Sequence, residues 1–297
     1  MKVKKKIFRR MDVFETILFA AIFIYVLSMI FVLGFGCVNS LKHFMDYGRG
    51  NKFGLPRKEY GWQFSNYVNM LSDFYVDVYR EGQGNVPVGI FEMLWNSVSY
   101  AVCMSFFTIM TQVMVAYAVS KYEFKFRKLI YNVAVIVMLI PIVGSLASEL
   151  QFAETLGLRN SLIGVCVMKC KYTGIYFLVF YAMFKNVSWT YAEAAQMDGA
   201  GHLRIFLEVM LPLVSSTIAS VFVLQFIANW NEYYTPMIFL ENRPTIAYGL
   251  YRYHTGLQAK VPEVLSASIA TCIPIVILFM IFRNKIMGNI TMGGIKG

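Results

Sequence analysis

Glu232 stands among Asn229, Trp230, Asn231 and Tyr233 in one largely apolar interval, and Lys169 and Lys171 flank Cys170 in another. Charged groups are costly in hydrocarbon unless they face a cavity or a partner, so these residues are the candidate lining of a solute path. The chemistry they offer is recognition. Aromatic faces stack on the C–H faces of a sugar, amides and a carboxylate bond its hydroxyls, and an ammonium attracts an acidic group. Other readings stay open at each position: Glu232 as a structural hinge or gate, and the two lysines as side chains snorkelling from a span that starts near Tyr172. Covalent chemistry has no comparable constellation. His43, His202 and His254 are scattered, and neither an H-E-x-x-H helix nor a G-x-x-x-x-G-K-[ST] phosphate loop occurs. We therefore expect no catalytic residue, no metal site and no nucleotide site in this chain. Cys37, Cys103, Cys166, Cys170 and Cys272 form no C-x-x-C pair and read as small hydrophobes.

The elements that must position these residues are membrane helices. Of 297 residues, 58% are hydrophobic and 15% charged, against about 25% charged in soluble domains. Apolar runs near the ~20 residues needed to cross a bilayer occupy 13–35, 97–120, 129–146, 214–239 and 265–282, with a weaker one at 161–184. The expected fold is all-α, a polytopic bundle of six spans, since lipid offers backbone groups no water partners. The expected parts are a basic tail (1–12), a first span (13–36), an outer loop or small subdomain (37–95), a five-helix core (96–283) and a tail (284–297). The segment 37–95 carries Gly48, Gly50, Gly54, Gly82 and Gly84 as turn points.

Basic residues orient the bundle. Lys2, Lys4, Lys5, Lys6, Arg9 and Arg10 precede the first run, and Lys121, Lys125, Arg127 and Lys128 fill a short loop between the second and third. Those faces, and both termini, are expected to be cytoplasmic. The net charge of +10 then follows from the positive-inside pattern, and nucleic acid is not an expected partner. The run 13–35 exceeds the roughly 7 to 15 apolar residues of a cleaved signal and reads as an uncleaved anchor in the bilayer.

One polar interval, 188–212, interrupts the bundle. Thr190 with Glu193 three residues on is a capping-box pattern, so a short helix is expected through Ala194, Ala195 and Met197, ended by Gly199 and Gly201. A second follows, with Leu203, Phe206, Leu207 and Met210 spaced to make one apolar face. Leu211-Pro212 then opens the fifth span, where proline fits the first turn. Two helices meeting at a glycine turn make a knob that another protein can grip and move as a rigid body.

The spacing of Glu193-Ala194-Ala195, Gly199, Val209 and Leu211-Pro212, with Asp198 and Ala200 at the turn, resembles the signature loop by which membrane subunits of bacterial ABC importers engage their ATPase partners. The resemblance extends to Asn96-Ser97, Leu139-Ile140-Pro141, Trp230-Asn231-Glu232-Tyr233 and the closing Gly293-Gly294, and covers roughly 94–297. It is greatest to carbohydrate permeases of the kind of the smaller maltose-transporter membrane subunit. Val209 stands where isoleucine is usual, and no proline precedes Glu193 in the interval 186–189.

That resemblance implies a multi-pass protein of the bacterial inner membrane, not an enzyme, importing oligosaccharides; Lys169 or Lys171, if it lines the path, makes these acidic ones. It implies a second permease subunit, two ATPase subunits carrying ATP and Mg, and an extracytoplasmic solute-binding protein. The interval 249–260, with Tyr251, Arg252, Tyr253 and His254, occupies the place of the loop that probes the binding protein in such importers. A permease for a non-sugar solute, or an ion-coupled secondary transporter, is the alternative.

Overall fold

The computed structural model describes residues 12–80, 82–140, 144–256 and 260–290, by backbone alone from 282. The basic tail through Arg10, Pro141, residues 257–259 and the closing Gly293-Gly294 lie outside the described residues. The chain divides into two compact units: residues to Asp73 with Gly256–Ala270, and Phe74–Thr255 with the remainder.

The first unit begins with α1 (Val13–Ser40), whose mean hydropathy is 2.7 with none of that window buried. A helix apolar on all sides suits lipid, and 28 residues at 1.5 Å each give about 42 Å, enough for a bilayer core. Beyond it lie α2 (Phe44–Gly48) and α3 (Ser65–Asp73). Two buried charges organise this stretch. Lys42 donates to the Asn51 carbonyl at 2.7 Å, and Asp46 accepts from the Arg57 amide at 3.0 Å and from Asn51 Nδ2 at 3.1 Å. Burial raises the Asp46 carboxyl, but those hydrogen bonds and the nearby Arg57 and Lys42 charges outweigh it and hold it below the usual range.

In the second unit the expected all-helical pattern is corrected at one place. Tyr75–Arg80 (β1) and Gly84–Gly89 (β2) form an antiparallel hairpin that pairs Val76 with Val88. Val76, Val78 and Val88 are buried while Asp77 and Tyr79 face outward, the period-2 alternation of a half-buried strand. Gly82 and Gly84, at φ 80° and 73°, supply the turn. The hairpin leads into α4 (Ile90–Lys121).

The core helices are α5 (Arg127–Leu139), α6 (Leu146–Thr155), α7 (Leu162–Lys169), α8 (Ile175–Asn186), α9 (Thr190–Met197), α10 (His202–Arg204), a π-helical turn (Ile205–Met210), α11 (Leu211–Leu213), α12 (Ser215–Asn231), α13 (Tyr234–Phe239), α14 (Ile246–Thr255) and α15 (Val261–Ile290). α4 packs chiefly on α8 and α12. Val113, Phe177, Phe180, Phe184, Met210 and Val214 make a fully buried core at that junction.

Among the described residues, α1, α4 and the Val261–Ile281 part of α15 are long and apolar enough to cross a membrane, and His202–Leu213 with Ser215–Asn231 pass as a pair bent by 76°. The other expected runs are discontinuous. The run 129–146 stays helical only to Leu139, because Ile140 precedes a proline and is extended (φ −97°, ψ 113°). The run 161–184 divides into α7 and α8 around Gly174, whose φ of 153° disfavours a side chain. The run 214–239 breaks after Asn231. At the other end, α15 continues past 284 to Ile290, into the interval expected as a tail.

Candidate functional site

In the interval 188–212 two short helical arms lie on either side of Gly199, with the expected first cap corrected. Trp189 is in helical conformation, so Thr190 is already inside α9 and its hydroxyl pairs with Ser188 Oγ at 2.8 Å instead of capping Glu193. The Ala192 and Glu193 amides bond the Trp189 carbonyl. Glu193 and Ala194 are exposed, Ala192 is buried and Ala195 packs on the core.

The far end of α9 closes as a Schellman motif. The Gly199 amide donates to Gln196 O at 2.9 Å and the Ala200 amide to Ala195 O at 2.9 Å. Asp198 is the C-cap, and Gly199 lies at φ 79° with nothing near its missing Cβ. The position favours glycine for its backbone angle and not for space.

The second arm differs from an i, i+3, i+4, i+7 stripe. Ile205–Met210 is π-helical, and the wider turn rotates successive side chains away from α-helical register. Ile205, Phe206 and Met210 are buried, whereas Leu203 (71% exposed) and Leu207 (50%) face outward with Met197 (89%). Leu211 and Pro212 lead into the bend, with proline in the first turn of α11. Met197, Leu203 and Leu207 thus stand open on this loop, as does Tyr191, a surface available to a partner.

The C-terminal end of α4 holds the knob through residues that the motif gave no reason to single out. Tyr122 Oη and His202 Nδ1 are hydrogen-bonded at 3.2 Å, and Lys121 Nζ donates to Val187 O at 2.5 Å. The Tyr117 ring packs on Phe206 at 4.9 Å and Phe184 at 5.3 Å. The signal available in the sequence was the aromatic set Tyr117, Tyr122 and Trp189 beside the polar interval.

Of the candidate path residues, Glu232 is a joint. Tyr100 donates to Glu232 Oε2 at 2.8 Å and the Thr235 amide donates to Oε1 at 2.9 Å. The carboxylate therefore caps α13 and ties α4 to the break after α12. Asn229, buried, donates to Ser105 Oγ at 3.0 Å, and Trp230 is buried against Phe226. Asn231 is exposed, its amide turned back to Ile227 O. Tyr233 stacks on Tyr251 with ring centroids 4.6 Å apart.

Lys169 forms an ion pair with Glu149 and lies 4.3 Å from the Phe239 ring centroid. Its charge is matched within the chain by the Glu149 carboxylate. Lys171 is exposed, and its backbone carbonyl accepts from Gln112 Nε2 at 3.4 Å. Glu149 also accepts from Ser145 Oγ at 2.7 Å; the Lys169 bond foremost, then Ser145, hold its carboxyl below the usual range against burial.

The expected loop at 249–260 begins as helix. α14 starts where the Ile246 amide meets Ser97 Oγ at 2.7 Å, and Gly249 is buried so close to Met93 that a Cβ would lie 2.6 Å from its sulfur. Tyr251, Arg252 and His254 are exposed on it, while Tyr253 meets Phe74 edge-on at 5.5 Å.

The family model described as "Binding-protein-dependent transport system inner membrane component" matches residues 112–290. An arabinooligosaccharides transport system permease protein of Halalkalibacterium halodurans is 28% identical over 205 residues, 68% of this chain and 73% of that one. A trehalose/maltose transport system permease protein of Thermococcus litoralis is 29% identical over 252 residues, 82% of this chain and 85% of that one. A chain of a bacterial ABC transporter involved in the import of the acidic polysaccharide alginate aligns with a TM-score of 0.69 at 22% identity, over 94% of this chain and 99% of that one.

Proposed function

The chain belongs to the binding-protein-dependent transport system inner membrane components, and from that premise we propose that it is the permease subunit of an ATP-driven importer of oligosaccharides. The observation that carries this reading is the knob: an α9 closed by Gly199, a π-turned second arm and exposed apolar side chains, fixed to the end of α4. A partner that grips Met197, Leu203 and Leu207 moves α4 with them, because Tyr122 bonds His202 of the knob and Lys121 bonds Val187 immediately before it.

In this reading two ATPase subunits bind ATP and Mg and close on the knobs of this chain and of a second permease subunit. The closure switches the pair from inward-facing to outward-facing against a loaded extracytoplasmic binding protein. Six crossings follow if the two intervals broken at Ile140 and Gly174 each complete one, and both termini then lie in the cytoplasm with the knob. Broken helices are expected where a transport path needs backbone groups at membrane depth. The sugar class is supported by the names of the two relatives, both at less than 30% identity.

The test is affinity purification of the tagged chain from its native membrane, followed by mass spectrometry. Stoichiometric ATPase subunits and a second permease are expected. Purification as a lone homo-oligomer, with uptake driven by an ion gradient, would instead assign a secondary transporter.

A further inference from the structure

The second unit carries a cleft that the coupling knob does not use. It has a volume of about 530 Å3 and lies between the end of β1, the first turns of α4 and the turn after α13. That volume is within the range of small-ligand pockets, roughly 300 to 1,000 Å3. Trp95, one of the cleft's lining residues, is 71% exposed. Asn160 and Asn242 also line it, joined by the Asn242 amide donating to Asn160 Oδ1 at 3.2 Å. Asn96 fixes the adjoining turn by donating to Pro244 O at 3.1 Å.

The charges in the cleft are unequally matched. Arg80 is paired with Glu92, and the neighbouring Arg159 is shared between Glu154 and Glu241. Arg243 lines the cleft, is exposed, and makes no ion pair among the described residues. One guanidinium is thus left to meet an anion from outside the chain, beside an indole face and two amides. A guanidinium binds a carboxylate through two parallel hydrogen bonds, an indole stacks on the C–H face of a pyranose, and amides bond its hydroxyls.

We propose that this cleft is a receiving subsite for a carboxylated saccharide, a uronate unit, on its way into the permease. Its position agrees: Trp95 precedes Lys121 by 26 residues of continuous α4, which places it about 39 Å from the knob along the helix. The inference rests on the permease reading to this extent, that a cytoplasmic knob puts the cleft on the outer side. It assigns the substrate's charge to Arg243, in place of the internally paired Lys169.

The test uses the detergent-purified complex, with and without its binding protein, and two probes: a 1,4-linked tetra-uronate and its carboxyl-reduced neutral counterpart. The complex alone should bind the tetra-uronate in preference to the neutral probe. Arg243→Gln should weaken tetra-uronate binding about tenfold or more and leave the neutral probe unaffected. Arg243→Lys should recover part of the loss, and Trp95→Ala should weaken both probes. Equal binding of the two probes, no binding of either, or an Arg243→Gln variant indistinguishable from the parent would overturn the subsite. So would a variant with unchanged saccharide affinity that no longer holds the binding protein, which would make the cleft a protein-docking surface. Copurification of ATPase subunits is scored on the same samples, so failure of the permease reading is seen separately.

Discussion

Tyr100 in α4 donates a 2.8 Å hydrogen bond to Glu232 at the break between α12 and α13, joining helices that lie 132 residues apart in sequence. The carboxylate is shared, its other oxygen accepting the Thr235 amide. Glu232, for which the sequence leaves both a solute-path and a hinge role open, is thus held at both carboxylate oxygens.

Removing the hydroxyl with Tyr100→Phe should therefore lower the stability of the complex, since a hydrogen bond to a charged group is worth about 1.5 to 3 kcal/mol. The thermal midpoint should fall while apparent substrate affinity stays unchanged. A raised KM with an unchanged midpoint would return Glu232 to the solute path.

At the knob, Gly199 has φ 79° and open space where a Cβ would go. The cost of a β-branched residue there is backbone strain of roughly 1–2 kcal/mol. Gly199→Val should uncouple ATP hydrolysis from uptake, while Gly199→Asn, which tolerates the left-handed region, should retain most coupling. Equal effects of both variants, or none, would show that the Schellman turn does not carry force.

The Lys169–Glu149 pair should respond as a unit. Lys169→Gln loses the ion pair and the contact with Phe239, together about 1 kcal/mol at this partial exposure, and Glu149→Gln in the same chain should add little further loss. Because the carboxyl is depressed, its contribution is present above its unfolded pKa and is lost as pH falls through the folded one. The difference in thermal midpoint between parent and Lys169→Gln should accordingly hold from neutrality to about pH 4.3 and shrink below that. A difference that disappears well above pH 5 would contradict the pairing.

Much of the fold was legible because apolar run length is set by bilayer thickness: α1, α4 and α15 lie where composition placed them. The breaks were less so. Pro141 and Gly174 were present in the sequence as punctuation, but an unbroken hydropathy signal across 129–146 and 161–184 concealed them. The hairpin at Tyr75–Arg80 was hidden by its shortness and by the polar, glycine-rich stretch around it. At the knob the glycine turn was readable from the residues, while the π-turn at Ile205–Met210 was not, because the spacing of a few apolar residues fits an α-helical period equally well. Arg243 and Trp95, 148 residues apart, meet only after folding, and no local motif connects them.

The central claim, that this chain moves solute when a partner ATPase pulls on the knob, is tested most directly in proteoliposomes holding the copurified complex. The measurement is uptake of labelled oligosaccharide with ATP supplied on the knob side and loaded binding protein on the other. Uptake should require both, and Gly199→Val should abolish it while the ATPase subunits remain bound. Uptake that proceeds without ATP on an imposed ion gradient, or that is unchanged in Gly199→Val, would contradict the account.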